Sequence, residues 1–127
     1  MYSDKVIEHF QNPRNVGEIE NYDGKGRVGS STCGDIIEVY IRVKDGRLDD
    51  IKYKTLGCGA AVASGSIGTE MAKGMTIEDA LKLTDQRVAD ALDGLPQEKM
   101  HCSNLAADGI KAAIEDYLAR NESRTGT

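Results

Sequence analysis

The sequence predicts an α+β fold: a three-stranded antiparallel sheet with helices packed on one face. Three observations predict it. Residues 36–43 set Ile37, Val39, Ile41 and Val43 in alternation with Glu38, Tyr40 and Arg42, the period of a half-buried strand. Lys44-Asp45-Gly46-Arg47 carries the Asp-Gly signal of a tight hairpin, and residues 48–56 return with Ile51, Tyr53 and Thr55 on one face and Lys52 and Lys54 on the other. From Ser103 to Arg120, a helical stripe runs through Ile110, Ala113, Ile114, Tyr117 and Leu118. Three strands with one solvated face need something packed on the apolar face, and helices supply it.

Taken in order, Ser3 can cap a short helix over 3–11, with Val6, Ile7 and Phe10 as its apolar edge and Pro13 ending the run. His9 on that helix reads as a surface or edge histidine. Asn12-Pro13-Arg14-Asn15 is turn chemistry, and the glycines among polar residues make 15–26 a loop. A weak, Gly- and Ser-rich strand covers 25–33 and ends at Cys33. Beyond the hairpin, 60–73 reads as a helix with Ala60, Ala63, Ile67 and Met71 on one side. Gly65 and Gly68 each cost such a helix roughly 1 kcal/mol against Ala, which predicts close approach to the sheet or another helix. Gly74 is a natural C-cap. Thr76 and Thr84 open helices over 77–83 and 85–92, the second with Val88, Ala91 and Leu92 inward. Pro96 breaks the chain before the last helix, and 121–127 reads as a frayed, flexible tail. No linker or repeat divides 1–127, so one domain is expected, with the first helix and loop in 1–24.

Bulk properties narrow the function classes. At 127 residues the chain is long enough for one domain with a core. Net charge is −5 and there is one Phe and no Trp, which argues against nucleic acid, whose phosphates want a basic face and whose bases want an aromatic platform. No stretch has the length of a membrane span, and the start Met1-Tyr2-Ser3-Asp4-Lys5 lacks a signal peptide's apolar run, so a cytoplasmic location is expected. Three cysteines cannot form a full disulfide framework.

Those cysteines carry the candidate chemistry. Gly57-Cys58-Gly59 stands where the strand pattern gives way to the helical one, and its glycines leave the Cys58 thiol open. Cys33, in Cys33-Gly34-Asp35, ends the first strand. Cys102, in His101-Cys102, opens the last helix, where free N–H groups favour a thiolate. If the first strand flanks the hairpin, the ends of the first and third strands share one edge, and the last helix packs on that sheet. Three thiols meeting there would suit an iron–sulfur centre or zinc. The other reading is three unrelated cysteines, two of them buried as small hydrophobes. No pair has C-x-x-C spacing, so spacing does not choose. Asp35 reads as a harder, weaker fourth ligand or as a turn residue accepting backbone N–H bonds. His101 reads as another fourth ligand or a capping-turn residue, and Lys99 as a partner for Asp35 or a solvated charge.

Several segments together resemble the iron–sulfur cluster scaffold family of IscU and the N-terminal domain of NifU. They are Tyr2-Ser3-Asp4-Lys5-Val6, Asn12-Pro13-Arg14-Asn15-Val16-Gly17, Cys33-Gly34-Asp35, Gly57-Cys58-Gly59-Ala60, Thr69-Glu70, Lys73-Gly74 and His101-Cys102-Ser103 with Leu105-Ala106. The resemblance runs from Tyr2 to about Tyr117 and implies a small antiparallel sheet with helices on one face and an exposed site at one end. It implies a non-catalytic scaffold that builds a labile 2Fe-2S cluster from iron and cysteine-derived sulfur and passes it to apo iron–sulfur proteins. The implied partners are a cysteine desulfurase and an electron donor such as ferredoxin, with a homodimer during assembly. The resemblance makes Cys33, Cys58 and Cys102 the ligands, Asp35 the residue of cluster lability, and His101 the histidine beside the third cysteine. It makes Cys102 the persulfide acceptor and ties Tyr2 to dimerisation.

Two departures stand out. Leu95-Pro96-Gln97-Glu98-Lys99 replaces the family's Leu-Pro-Pro-Val-Lys, which predicts weak or absent binding by the specialised heat-shock chaperone pair. Ser31-Thr32 lacks the usual proline before the first cysteine. There is no long insertion between Cys58 and Cys102, unlike the zinc-dependent SufU branch. The alternative function is a zinc-bound sulfur acceptor, with Cys33, Asp35, Cys58 and Cys102 around the metal.

Overall fold

The computed structural model describes residues 3–29, 34–57, 59–95 and 100–125, with the side chains of 100–103 and 121–125 outside the description. The elements run α1 Asp4–Gln11, β1 Gly24–Gly29, β2 Ile36–Lys44, β3 Arg47–Leu56, α2 Gly59–Ala72, α3 Ile77–Leu81, α4 Asp85–Ala91 and α5 Met100–Thr125. The sheet has the order β1-β2-β3 with both pairs antiparallel, the predicted meander. Asp45 and Gly46 turn the hairpin with φ of 55° and 75°, the primed geometry that matches strand twist. β1 is described over Gly24–Gly29, starting one residue before the expected 25, and residues 30–33 of the expected strand lie outside the described residues.

The inner face of the sheet buries Ile37, Val39, Ile41, Leu48, Ile51 and Tyr53 against Leu83, Val88, Ala106, Ile110, Ala113 and Ile114. The register shifts between Arg42 and Val43, so Asp49 is passed over and Leu48, not Asp49, faces the core. The outer face is less solvated than its alternation suggests. Tyr40 is buried there, with the Tyr22 ring edge-on at 5.7 Å and the Lys25 ammonium 5.4 Å above it. A residue outside the sheet supplies that cover, which strand periodicity does not register.

α5 lies directly on β1. A Cβ at Gly26 would stand 2.4 Å from the Ala113 nitrogen, and one at Gly24 would stand 2.3 Å from the Ala113 oxygen. The glycines that weaken β1 as a strand are what let two backbones meet. α5 starts before Ser103 and continues to Thr125, through most of the stretch expected to fray. No Pro or Gly interrupts residues 110–125, and the Arg120–Asp116 pair bridges one turn at 2.8 Å. Leu118 is exposed rather than core-facing, because β1 begins at Gly24 beside Tyr117 and the helix outruns the sheet.

α1 is capped as expected: the Val6 N–H donates to Ser3 Oγ at 3.2 Å, and the Ser3 hydroxyl donates to the Leu92 carbonyl. Its buried side is different from the one expected. Val6 and His9 are buried, whereas Ile7 and Phe10 are 43% and 52% exposed. The helix is two turns long and lies on α2 by its Val6–His9 stripe, which overrides the apolar count of the other edge. α2 itself is surrounded: Ala60, Ala63, Ser64, Ser66, Thr69 and Ala72 are all buried although they span every side of the helix.

Candidate metal centre

One end of the sheet gathers the segments that carry the cysteines. Gly29 pairs with Ile36, and Ile36 with Leu56, so the ends of β1 and β3 flank the start of β2. α2 starts at this end, at Gly59. α5 passes Tyr117 and Ala113 at Gly24, then Ala112 and Gly109 at Gly26, so it runs antiparallel to β1 and its first turn lies toward the end of β1. Cys33, Cys58, Tyr2 and Lys99 lie outside the described residues. His101 and Cys102 are described as backbone in the first turn of α5. What the structure brings together is the described flanks of Cys33 and Cys58 at one end of the sheet, with the first turn of α5 directed there.

Asp35 is described, and it is only 6% exposed. A Cβ at Gly57 would stand 2.8 Å from its carboxyl carbon and 3.0 Å from the Ala61 methyl. The missing side chain of Gly57 is therefore the space in which the Asp35 carboxyl sits. Gly59 does the same for Phe10, whose ring would lie 3.3 Å from an added Cβ. The two glycines beside Cys58 thus each seat a neighbour, one a carboxylate and one an exposed aromatic ring. Among the described residues no three His, Cys, Asp or Glu side chains form a metal-holding group.

The rim of this end is apolar and open. Leu56 is 76% exposed and, with Ile36, Arg27, Glu38, Lys54 and Thr55, borders a groove of about 340 Å³. A smaller groove of about 160 Å³ lies between Val6, Ile7, Phe10 and Gly59. Sequence reasoning placed Phe10 on the apolar edge of the first helix, where it is exposed instead, and gave Leu56 no role; by strand alternation Leu56 falls on the face of Lys52 and Lys54.

His9, read from sequence as a surface residue, is held in the α1–α2 contact. Its Nδ1 lies 2.7 Å from Ser66 Oγ and 3.2 Å from an Arg14 guanidinium nitrogen, and the Arg14 backbone N–H donates to Ser66 Oγ at 2.9 Å. Burial, then the Arg14 charge, pushes the His9 pKa below its ordinary value. On the sheet side, the buried Tyr53 hydroxyl donates to the Val62 carbonyl at 2.9 Å, and burial pushes its pKa up.

Residues 1–124 match the family described as NifU-like N terminal domain. The chain belongs to this family. Among its relatives in the NifU-like family is the iron-sulfur cluster assembly scaffold protein IscU 1 of Archaeoglobus fulgidus, 63% identical over 121 residues, covering 95% of this chain and 79% of the relative. The iron-sulfur cluster assembly scaffold protein IscU of Escherichia coli is 46% identical over 127 residues, covering 97% and 98%. Two solved structures share the fold. The NifU-like N-terminal protein of Brucella abortus aligns with a TM-score of 0.74 at 20% identity, covering 93% of this chain and 94% of that one. A putative scaffold protein for the SUF system from Fervidobacterium islandicum aligns with a TM-score of 0.72 at 20% identity, covering 89% and 96%.

Proposed function

We infer that this NifU-like chain is a scaffold on which an iron–sulfur cluster is assembled and from which it is handed on. The cluster is cargo. Relatives 46–63% identical over nearly the whole chain carry that name. The observation that carries the reading is the buried Asp35 carboxyl, seated by Gly57 between the flanks of Cys33 and Cys58. In this reading Cys33, Cys58 and Cys102 supply soft thiolates, and Asp35 supplies a harder donor that loosens the cargo. His101 is the alternative fourth ligand, Lys99 a counter-charge for Asp35, and Tyr2 a contact in a homodimer.

Sulfur arrives from a cysteine desulfurase. The Cys102 thiolate attacks the outer sulfur of the desulfurase persulfide, a new S–S bond forms, and the desulfurase thiolate leaves. Each such sulfur must gain two electrons to become sulfide. Two ferrous ions supply two of the four electrons by giving up one each, an electron donor such as ferredoxin supplies the other two, and the two ferric ions and two sulfides complete an oxidised 2Fe-2S unit for apo iron–sulfur proteins. Among the described residues no helix is long and apolar enough to cross a membrane. The site of action in this reading is the cytoplasm, and 1–127 acts as one unit.

Anaerobic reconstitution with ferrous iron and sulfide, comparing wild type with Asp35→Ala, tests this. The expected result is a 2Fe-2S spectrum in both, with slower decay under chelator in the Ala variant. Colourless protein retaining stoichiometric zinc would overturn it in favour of the zinc-bound sulfur acceptor.

A further inference from the structure

Ser64 is 0% exposed, and its Oγ is the buried side-chain polar atom among the described residues that makes no hydrogen bond. Helical serines and threonines ordinarily bond back to a carbonyl of the preceding turn, as Thr69 on the same helix does to Gly65 at 2.7 Å. A buried hydroxyl left without a partner destabilises the fold that holds it. Its place in the fold indicates what would satisfy it. α2 and α5 both run away from the candidate metal end. They touch where an added Cβ at Gly68 would stand 3.2 Å from the Ala106 methyl. One helical turn before Gly68 is Ser64, and one turn before Ala106 is Cys102. The two residues share one level of the α2–α5 seam, on the side toward the metal end.

We propose that Ser64 Oγ–H donates a hydrogen bond to the Cys102 sulfur when that sulfur is a metal-bound thiolate. Ser64 is then a positioning residue of the site, and the inference rests on the scaffold reading above. The unpaired Ser64 hydroxyl is the donor for that bond. Outer partners of this kind typically tune metal affinity by about 10-fold or more.

The test uses Zn²⁺ alone as the probe, with full-length wild type, Ser64→Ala, Cys102→Ser and the double variant. Metal-free Ser64→Ala is expected to melt at or above the wild-type temperature, because no bond is lost. Its zinc affinity is expected to fall about 10-fold. In the Cys102→Ser background, Ser64→Ala should cause no further loss. A lower metal-free melting temperature, an unchanged zinc affinity, or a loss that persists without Cys102 overturns the inference. Wild type that takes up no metal would sink the scaffold reading and this inference with it. Zinc-binding wild type with an indifferent Ser64→Ala sinks this inference alone.

Discussion

At the residue scale, Gly57 and Asp35 form one unit. The carboxyl occupies space that any other residue at 57 would fill, since an added Cβ falls 2.8 Å from the Asp35 Cγ and 3.0 Å from the Ala61 methyl. Overpacking at such a spot costs typically 1–3 kcal/mol. Gly57→Ala should therefore destabilise the metal-free protein by about that amount, read as a lower denaturation midpoint. It should also displace Asp35, so its reconstituted cluster should decay as slowly as in Asp35→Ala. The clearest check is the double variant. Removing the carboxyl frees the space, so Gly57→Ala should cost less in the Asp35→Ala background than alone. Additive costs would mean that Gly57 serves the backbone and not the carboxyl.

At the scale of elements, α2 shows why glycines stand inside a central helix. A Cβ at Gly65 would fall 2.5 Å from the Tyr53 ring, and that ring is tied to α2 by its hydroxyl bond to Val62. Gly68 meets only a methyl at 3.2 Å. Either change to Ala gains roughly 1 kcal/mol of helix propensity. Gly65→Ala should lose more than that to overpacking and unfold at lower denaturant. Gly68→Ala should stay within about 1 kcal/mol of wild type, its crowding offset by propensity. Equal midpoints for the two would contradict the packing. The sequence made both glycines legible as close approaches, because an isolated helix has no other use for them. It made β2, β3 and their turn legible because a strand period and an Asp-Gly pair are local signals. The buried side of α1 was not legible, since His9 is chosen by Ser66 and Arg14, residues distant in the chain or outside the helix. Nor was the cover over Tyr40, or the use of Gly57 to seat Asp35. Of the proposed site, the motifs mark the cysteines and Asp35 in the sequence, and the role proposed for Ser64 has no local signal.

At the scale of the whole molecule, the N-terminal segment ties α2 to β3. Asn15 Nδ2 donates to Thr69 at 3.1 Å, and the backbones of Asn15 and Gly17 bond with Tyr53 at 2.8 and 2.9 Å. His9 is the titratable pin of this arrangement. Arg14 and Ser66 contact its Nδ1, Glu8 lies 3.7 Å from Nε2, and Glu70 and Lys5 act on it through their charges. With Arg14 and the Ser66 hydroxyl as donors, Nδ1 is an acceptor and the ring is neutral. The folded pKa lies below that of the unfolded chain, near 6.5. The unfolded chain therefore binds more protons, and stability rises with pH across this window. The His9 contribution is present in full above about pH 6.5 and is lost as pH falls toward the folded pKa, at a slope of at most about 1.4 kcal/mol per pH unit for one proton. Denaturation midpoints of metal-free protein between about pH 5.5 and 7.5 should fall on acidification. In His9→Gln, which keeps an acceptor and cannot take the proton, the curve should flatten across that range. A variant as acid-sensitive as wild type would place the titration elsewhere.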